Sequence, residues 1–216
     1  MHLSAHSKFL FIGDSITDTG RDPSGEETPW AATSFGKGYV NLVNAWLLST
    51  FPHSPIRIIN QGCSGHTVLD LKNRWQKDVL DHQPDWVAVM IGINDVWRQF
   101  DVPLQKNKHV LPDIYEKTLD ELLTQTRPQL QGLILATPFF IESNKDDSMR
   151  KRMDEYGAIV KKLAAKHQAL FIDTQAAFDA VLQHSHSSSL AWDRIHPTTV
   201  GHMVIAKEFL KTIQAL

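Results

Sequence analysis

The stretch KFLFIGDSITDTG, residues 8–20, is an apolar run that stops at Gly13 and gives way at once to a carboxylate, Asp14, and a hydroxyl, Ser15. The near-continuous apolarity is that of a strand covered on both faces. A strand that ends in Gly-Asp-Ser has stopped packing and begun to present side chains. Four further runs share the pattern: IRIIN (56–60), WVAVMIG (86–92), LILAT (133–137) and ALFID (169–173).

Between these runs the spacing turns helical. Val68, Leu71, Trp75 and Val79 fall at intervals of three and four, as do Tyr115, Leu119 and Leu122, then Met153, Tyr156, Val160 and Leu163. Each set is an apolar stripe, so Trp75, Tyr115 and Met153 are expected in the core. A last helix runs through Val204, Ile205 and Leu210. Strand and helix alternating five times imply right-handed crossovers and a parallel sheet between two helical layers. The expected fold is α/β: a three-layer α/β/α, flavodoxin-like, five-stranded parallel sheet.

A chain of 216 residues, 42% of them hydrophobic, fills one core and shows no seam, so residues 1–216 are read as a single domain. RDPSGEETP (21–29) and HSHSSS (184–189) read as surface loops. A formal net charge of -2, evenly spread, offers no basic face to nucleic acid. The local cluster Arg150-Lys151-Arg152 follows Asp146-Asp147 and reads as a solvated face at a helix start. No window approaches the ~20 apolar residues of a membrane span, and the amino terminus lacks a secretory pattern. The one cysteine, Cys63, excludes an internal disulfide and suits a reducing compartment. The expectation is a cytoplasmic protein that binds neither membrane nor nucleic acid.

In doubly wound sheets ligands gather at the carboxyl ends of the strands. Gly13-Asp14-Ser15 follows the first strand, Asn60 to Thr67 the second, and Gly92-Ile93-Asn94-Asp95 the third; Trp192-Asp193-Arg194-Ile195-His196-Pro197 precedes the last helix. A serine hydroxyl is a poor nucleophile without a base in reach, and Ser15 alone would equally suit a helix cap. His196 stands out among eleven histidines because Asp193, three residues earlier, can hold one imidazole nitrogen while the other faces outward. His184 and His186 lack further ligands and read as solvated; His66 and His202 are assigned structural roles. Acyl transfer also needs donors for the oxygen that becomes negative. The Ser15 N–H, the Gly65 N–H and the Asn94 amide supply three, although glycine and asparagine after strands are also common turn formers. The G-x-S-x-G nucleophile elbow occurs nowhere in the chain, which implies a different serine-hydrolase architecture.

These blocks resemble a known family. GDSIT (13–17), NQGCSG with Gly65, GIND (92–95) and DRIHP (193–197) are similar, in order and spacing, to the four blocks of the SGNH (GDSL-type) hydrolases. The resemblance spans almost the full chain and implies the SGNH hydrolase fold. It further implies Ser15 as nucleophile, Asp193 and His196 as the rest of a triad, and Ser15, Gly65 and Asn94 as the oxyanion hole. Gly62 competes with Gly65 as the donor of the second block. FIGDSITD, GKGYV, PDWV with MIGINDVWRQ, DTQAAF and LAWDRIHP resemble the bacterial acetylxylan esterases of that family. That narrower resemblance implies a carboxylic ester hydrolase that deacetylates xylo-oligosaccharides or related sugars, with no metal and no cofactor.

Sugar rings bind on flat aromatic faces with convergent polar groups. Asp14, Trp30, Trp97 and Trp192 are the candidate substrate-binding residues, the three tryptophans being expected in loops; Trp46 and Trp86 read as core. The aromatic surface and the long loops at 18–35 and 95–110 also suit subunit contacts in a homo-oligomer. Two other readings stay open at this point: a thioesterase or lysophospholipase of the same fold, and a flavodoxin-like phosphate-binding module.

Overall fold

The computed structural model describes residues 3–24 and 33–216; Trp30 lies outside them. Five strands, β1 (Lys8–Gly13), β2 (Arg57–Gly62), β3 (Trp86–Met90), β4 (Gly132–Ala136) and β5 (Leu170–Ile172), form one parallel sheet in the order β2-β1-β3-β4-β5. The strands fall on the five apolar runs. β1 lies between β2 and β3, and Phe9, Leu10, Phe11 and Ile12 are all fully buried, as a strand with helices on both faces requires.

The connections are helical: α1 (Ser15–Asp18), α2 (Tyr39–Thr50), α3 (Val68–Asp78), α4 (Ile93–Asp101), α5 (Pro112–Thr126), α6 (Ser148–Lys166), α7 (Thr174–Leu182), α8 (Ser187–Leu190) and α9 (Thr199–Thr212). α9 packs with α2 and α7, while α5 packs with α3 and α6, which gives the two outer layers. Each apolar stripe points inward, and Trp75, Tyr115 and Met153 are buried as expected. Trp75 satisfies its indole by donating to Thr126 Oγ1 at 2.7 Å. Among the described residues no helix is long and apolar enough to cross a membrane.

Register decides where the site lies. Gly13 pairs with Gly62 on one side and with Met90 on the other, so the carboxyl ends of β1, β2 and β3 finish level. The loops that follow them therefore meet at one edge of the sheet.

Three expectations need correction. Arg150 is not on a solvated face: it is 2% exposed, its Nη1 and Nη2 donate to the two oxygens of Asp179 on α7, and its Nε donates to Asp154. The carboxylate of Asp179 on α7 draws this one member of the basic cluster inward while Lys151 stays exposed. Residues 95–101 are helix rather than loop, because Ile93 and Val96 repeat at a helical interval and are both buried. Trp46 is 39% exposed rather than core; its indole Nε1 donates to the Ala215 carbonyl and spans the surface between α2 and the carboxyl end of the chain. Trp86 is buried as expected.

Candidate active site

The Gly-Asp-Ser turn has a steric and a polar cause. A Cβ on Gly13 would stand 2.3 Å from the Met90 carbonyl oxygen and 2.4 Å from Thr17 Oγ1, so the strand end admits no side chain. Asp14 is the N-cap of α1: it is 1% exposed, and its Oδ1 accepts the Ile16 N–H at 3.0 Å. Burial pushes its carboxyl up to about 7, against the lowering effect of that bond and of the nearby His196 and Arg74. Asp14 is thus buried and is not among the residues that line the cavity at Ser15. The N-cap is therefore Asp14, and Ser15 opens the helix with its hydroxyl free of capping duty. α1 lasts a single turn and stops where Thr19 adopts a left-handed φ of 39°.

Ser15 Oγ lies 3.0 Å from His196 Nε2, and His196 Nδ1 lies 2.6 Å from Asp193 Oδ2. Asp193 Oδ1 accepts the backbone N–H groups of Ile195 and His196 at 2.9 and 2.8 Å. Arg194, between them, takes a left-handed φ of 65°, its carbonyl accepts the Ile141 N–H, and Ile195 is buried. The loop is thus pinned over the three residues that follow the carboxylate. Burial on its own would raise the Asp193 carboxyl; the hydrogen bonds from the His196 ring and from the two backbone N–H groups outweigh it and hold the group below its ordinary value of 3.8. An ionised carboxylate on Nδ1 fixes the tautomer that leaves Nε2 able to accept the serine proton.

Unspent donors surround Ser15. Neither the Ser15 N–H nor the Gly65 N–H bonds to any group among the described residues. Gly65 has a φ of +82°, a Cβ there would meet nothing within 4 Å, and the residue lines the cavity beside Ser15. Gly62 is different: its N–H donates to Asn60 Oδ1 at 2.9 Å, and a Cβ would strike Asp18 N at 2.1 Å. The competition between the two glycines therefore favours Gly65. Asp18 holds the Gly65 turn in place by accepting the Ser64 hydroxyl at 2.6 Å and its N–H at 3.2 Å. Asn94, 3% exposed on α4, donates one amide hydrogen to the His66 carbonyl at 2.9 Å and keeps the second.

These groups border a cavity of about 400 Å³ lined by Ser15, Gly65, Asn94, Trp97, His196 and His202, among others. Trp97 enters from α4, its ring 6.0 Å from His196 and near-perpendicular to it, with the Arg98 guanidinium 4.5 Å over its face. Trp192 does not line the cavity and is 82% exposed, because the loop that pins Asp193 turns the preceding residue outward.

A family model described as GDSL-like Lipase/Acylhydrolase family matches residues 11–204. The chain belongs to this GDSL-like family. Relatives are similar over nearly the whole length. The acetylxylan esterase of Geobacillus stearothermophilus is 51% identical over 214 residues, 99% of this chain and 96% of that one. A solved alpha/beta hydrolase enzyme from the metagenome of Lake Arreo, LAE5, is 54% identical with a TM-score of 0.97, covering 100% of this chain and 99% of its own. The Geobacillus enzyme itself superposes with a TM-score of 0.94 at 50% identity, covering 99% and 96%. Its solved forms include catalytic mutants in which a serine, a histidine or an aspartate is replaced by alanine.

The GDSL-like blocks account for Ser15, Gly65, Asn94, Asp193 and His196, which converge here. Thr19, Arg98 and His202 also line the cavity, yet none of the four blocks contains them. Arg98 was legible once 93–101 is seen as helix, since its Nη2 reaches Asn94 Oδ1 from the expected distance of one turn, at 3.4 Å. His202 sits one turn into α9 and carried no such signal.

Proposed function

We propose that the protein is a serine esterase that removes acetyl groups from acetylated xylo-oligosaccharides or related sugars through an acetyl-serine intermediate. The chain of 3.0 and 2.6 Å from Ser15 through His196 to Asp193, facing unspent N–H donors, is the observation that carries this reading. His196 Nε2 takes the Ser15 proton as Oγ bonds to the acetyl carbonyl carbon. The Ser15 and Gly65 N–H groups and the free Asn94 amide hydrogen receive the oxyanion, a contribution that typically amounts to roughly 100- to 1000-fold in rate per donor. His196 then returns the proton to the sugar oxygen as the C–O bond breaks. Water, deprotonated by the same imidazole, releases acetate and restores Ser15.

The sugar specificity rests on the full-length likeness to an acetylxylan esterase and on Trp97, a flat aromatic group at the cavity wall. A cytoplasmic, self-associating enzyme belongs to the same proposal: the single cysteine supports the first part, and the exposed Trp192, Val200 and Met203 support the second. The deciding experiment is acetate release from acetylated xylo-oligosaccharides, acetylated monosaccharides and a series of p-nitrophenyl esters. Activity that climbs from acetate toward octanoate would defeat the acetyl reading in favour of a longer-chain acylhydrolase.

A further inference from the structure

His202 carries a donor that the fold engages only through one long contact. The Tyr39 backbone N–H donates to its Nδ1 at 3.2 Å, so Nδ1 has no proton and the neutral ring must carry its hydrogen on Nε2. That Nε2–H has Thr19 Oγ1 as its partner at 3.5 Å, longer than the 2.7–3.2 Å of an ordinary hydrogen bond. Thr19 spends its own hydroxyl proton on the Ile16 carbonyl at 2.8 Å. His202 is 3% exposed, and Thr19 and His202 both line the cavity around Ser15. Burial, followed by the charge of His196, lowers its pKa to about 4, so the ring stays neutral and its tautomer fixed through the neutral range. A buried N–H held by a single long bond at the wall of a cavity has capacity left for a better acceptor from a ligand.

The reaction restricts what that ligand can be. An acetyl group has one acceptor, its carbonyl oxygen, and that is received by Ser15, Gly65 and Asn94. The leaving oxygen must lie at His196 Nε2, so the alcohol portion sits on the side of the cavity formed by His196, Pro197 and the start of α9, where His202 also stands. We propose that the His202 Nε2–H is a specificity-determining donor that hydrogen-bonds a hydroxyl or ring oxygen of the saccharide beside its esterified position. The inference rests on the acetyl-saccharide reading of this same site and adds to it how the sugar is recognised: by a neutral donor of fixed orientation.

Two substitutions separate this role from a structural one. In His202→Asn the amide oxygen overlies Nδ1 and keeps the acceptor for Tyr39, while nothing reaches the place of Nε2. In His202→Gln the amide nitrogen reaches that place, while the acceptor for Tyr39 is lost. For wild type and both variants, kcat/KM is measured on acetylated xylo-oligosaccharides and on p-nitrophenyl acetate, whose alcohol portion has no hydroxyl. Active sites are counted by fluorophosphonate labelling, so that misfolded protein does not enter. The saccharide-to-p-nitrophenyl ratio falls about tenfold in His202→Asn, the scale of one neutral hydrogen bond, and is largely retained in His202→Gln. An unchanged ratio in His202→Asn, or equal falls in both variants, overturns the proposal. Wild-type enzyme that releases no acetate from any saccharide overturns the underlying acetyl-saccharide reading instead.

Discussion

Ser15 and His196 are separated by 181 residues in sequence and by 3.0 Å in space. One stands at the end of β1 and the other just before α9, and the packing of α9 against α2 and β5 closes the distance between the two ends of the chain. The pair Ser15 and His196 is thus a product of the tertiary fold, while the pair His196 and Asp193 is a product of a single loop.

Replacing Ser15 by alanine removes a half-buried hydroxyl that caps no helix, since Asp14 performs that task. Stability should change by less than about 1 kcal/mol, as for a substitution away from caps and core. Ester hydrolysis should fall by about 10⁴-fold or more, because the members of a catalytic unit fail together. Fluorophosphonate labelling and acetate release check this; a Ser15→Ala protein that turns over at the wild-type rate would remove Ser15 from the mechanism.

Gly65 and Gly62 should respond differently to alanine. At Gly65 the left-handed φ makes any side chain strained, at a cost of about 1–2 kcal/mol, but the space is empty and the fold survives. The donor is displaced with the turn, so kcat should drop by roughly 100-fold or more. At Gly62 the added Cβ collides with backbone atoms of Thr17 and Asp18, which cannot yield as a side-chain end could. Gly62→Ala should lower the thermal midpoint far more than Gly65→Ala does, and equal midpoints would contradict the packing of β2 against α1.

The strand runs were legible because a sheet buried on both faces leaves no polar position to blur them, and the blocks at their ends were legible because acyl transfer demands particular groups. Features that depend on packing between distant elements were not. Nothing in the sequence sets Arg150 apart from Lys151 and Arg152; only the approach of α7 with Asp179 does. Trp192 adjoins a triad residue in sequence yet faces solvent, because proximity along a tightly turned loop does not fix direction. The Nε2–H of His202 stands out only once Tyr39, 163 residues away, is seen to occupy the other ring nitrogen.

Asp95 sets up a test by pH. It is fully buried at the start of α4; its Oδ1 accepts the Val68 N–H at 3.0 Å, and its Oδ2 has no partner. Burial, with the Asp14 charge adding to it, pushes its carboxyl from 3.8 up to about 8. A raised carboxyl pKa means that the folded state holds a proton the unfolded state releases. The contribution to stability is therefore fully present below about pH 4 and is lost as the pH rises through about 8. Asparagine keeps the acceptor for Val68 and does not titrate. The stability of Asp95→Asn relative to wild type should rise steadily between these limits in thermal melts, and a constant difference would show that Asp95 is ionised in the fold.

The sign reverses at Asp193. Its carboxyl is held below 3.8, so what it contributes to stability is present above that value and disappears as the pH falls through its lower folded value. At neutral pH it is ionised, and it accepts from Nδ1 of His196 while its other oxygen holds the loop through Ile195 and His196. Asparagine would keep the loop bonds through its carbonyl oxygen and present an amide donor to the ring. The ring must then turn its bare Nδ1 to that donor and carry its proton on Nε2, where it can no longer accept from Ser15. The cost to kcat can reach roughly 10⁴-fold, and it should shrink at high pH less than a simple loss of imidazolium stabilisation would. At neutral pH Asp193→Asn should lose the stability that the ionised carboxylate contributes, while the loop bonds keep the fold. An Asp193→Asn enzyme with normal kcat and a normal pH profile would show that the carboxylate only shapes the loop.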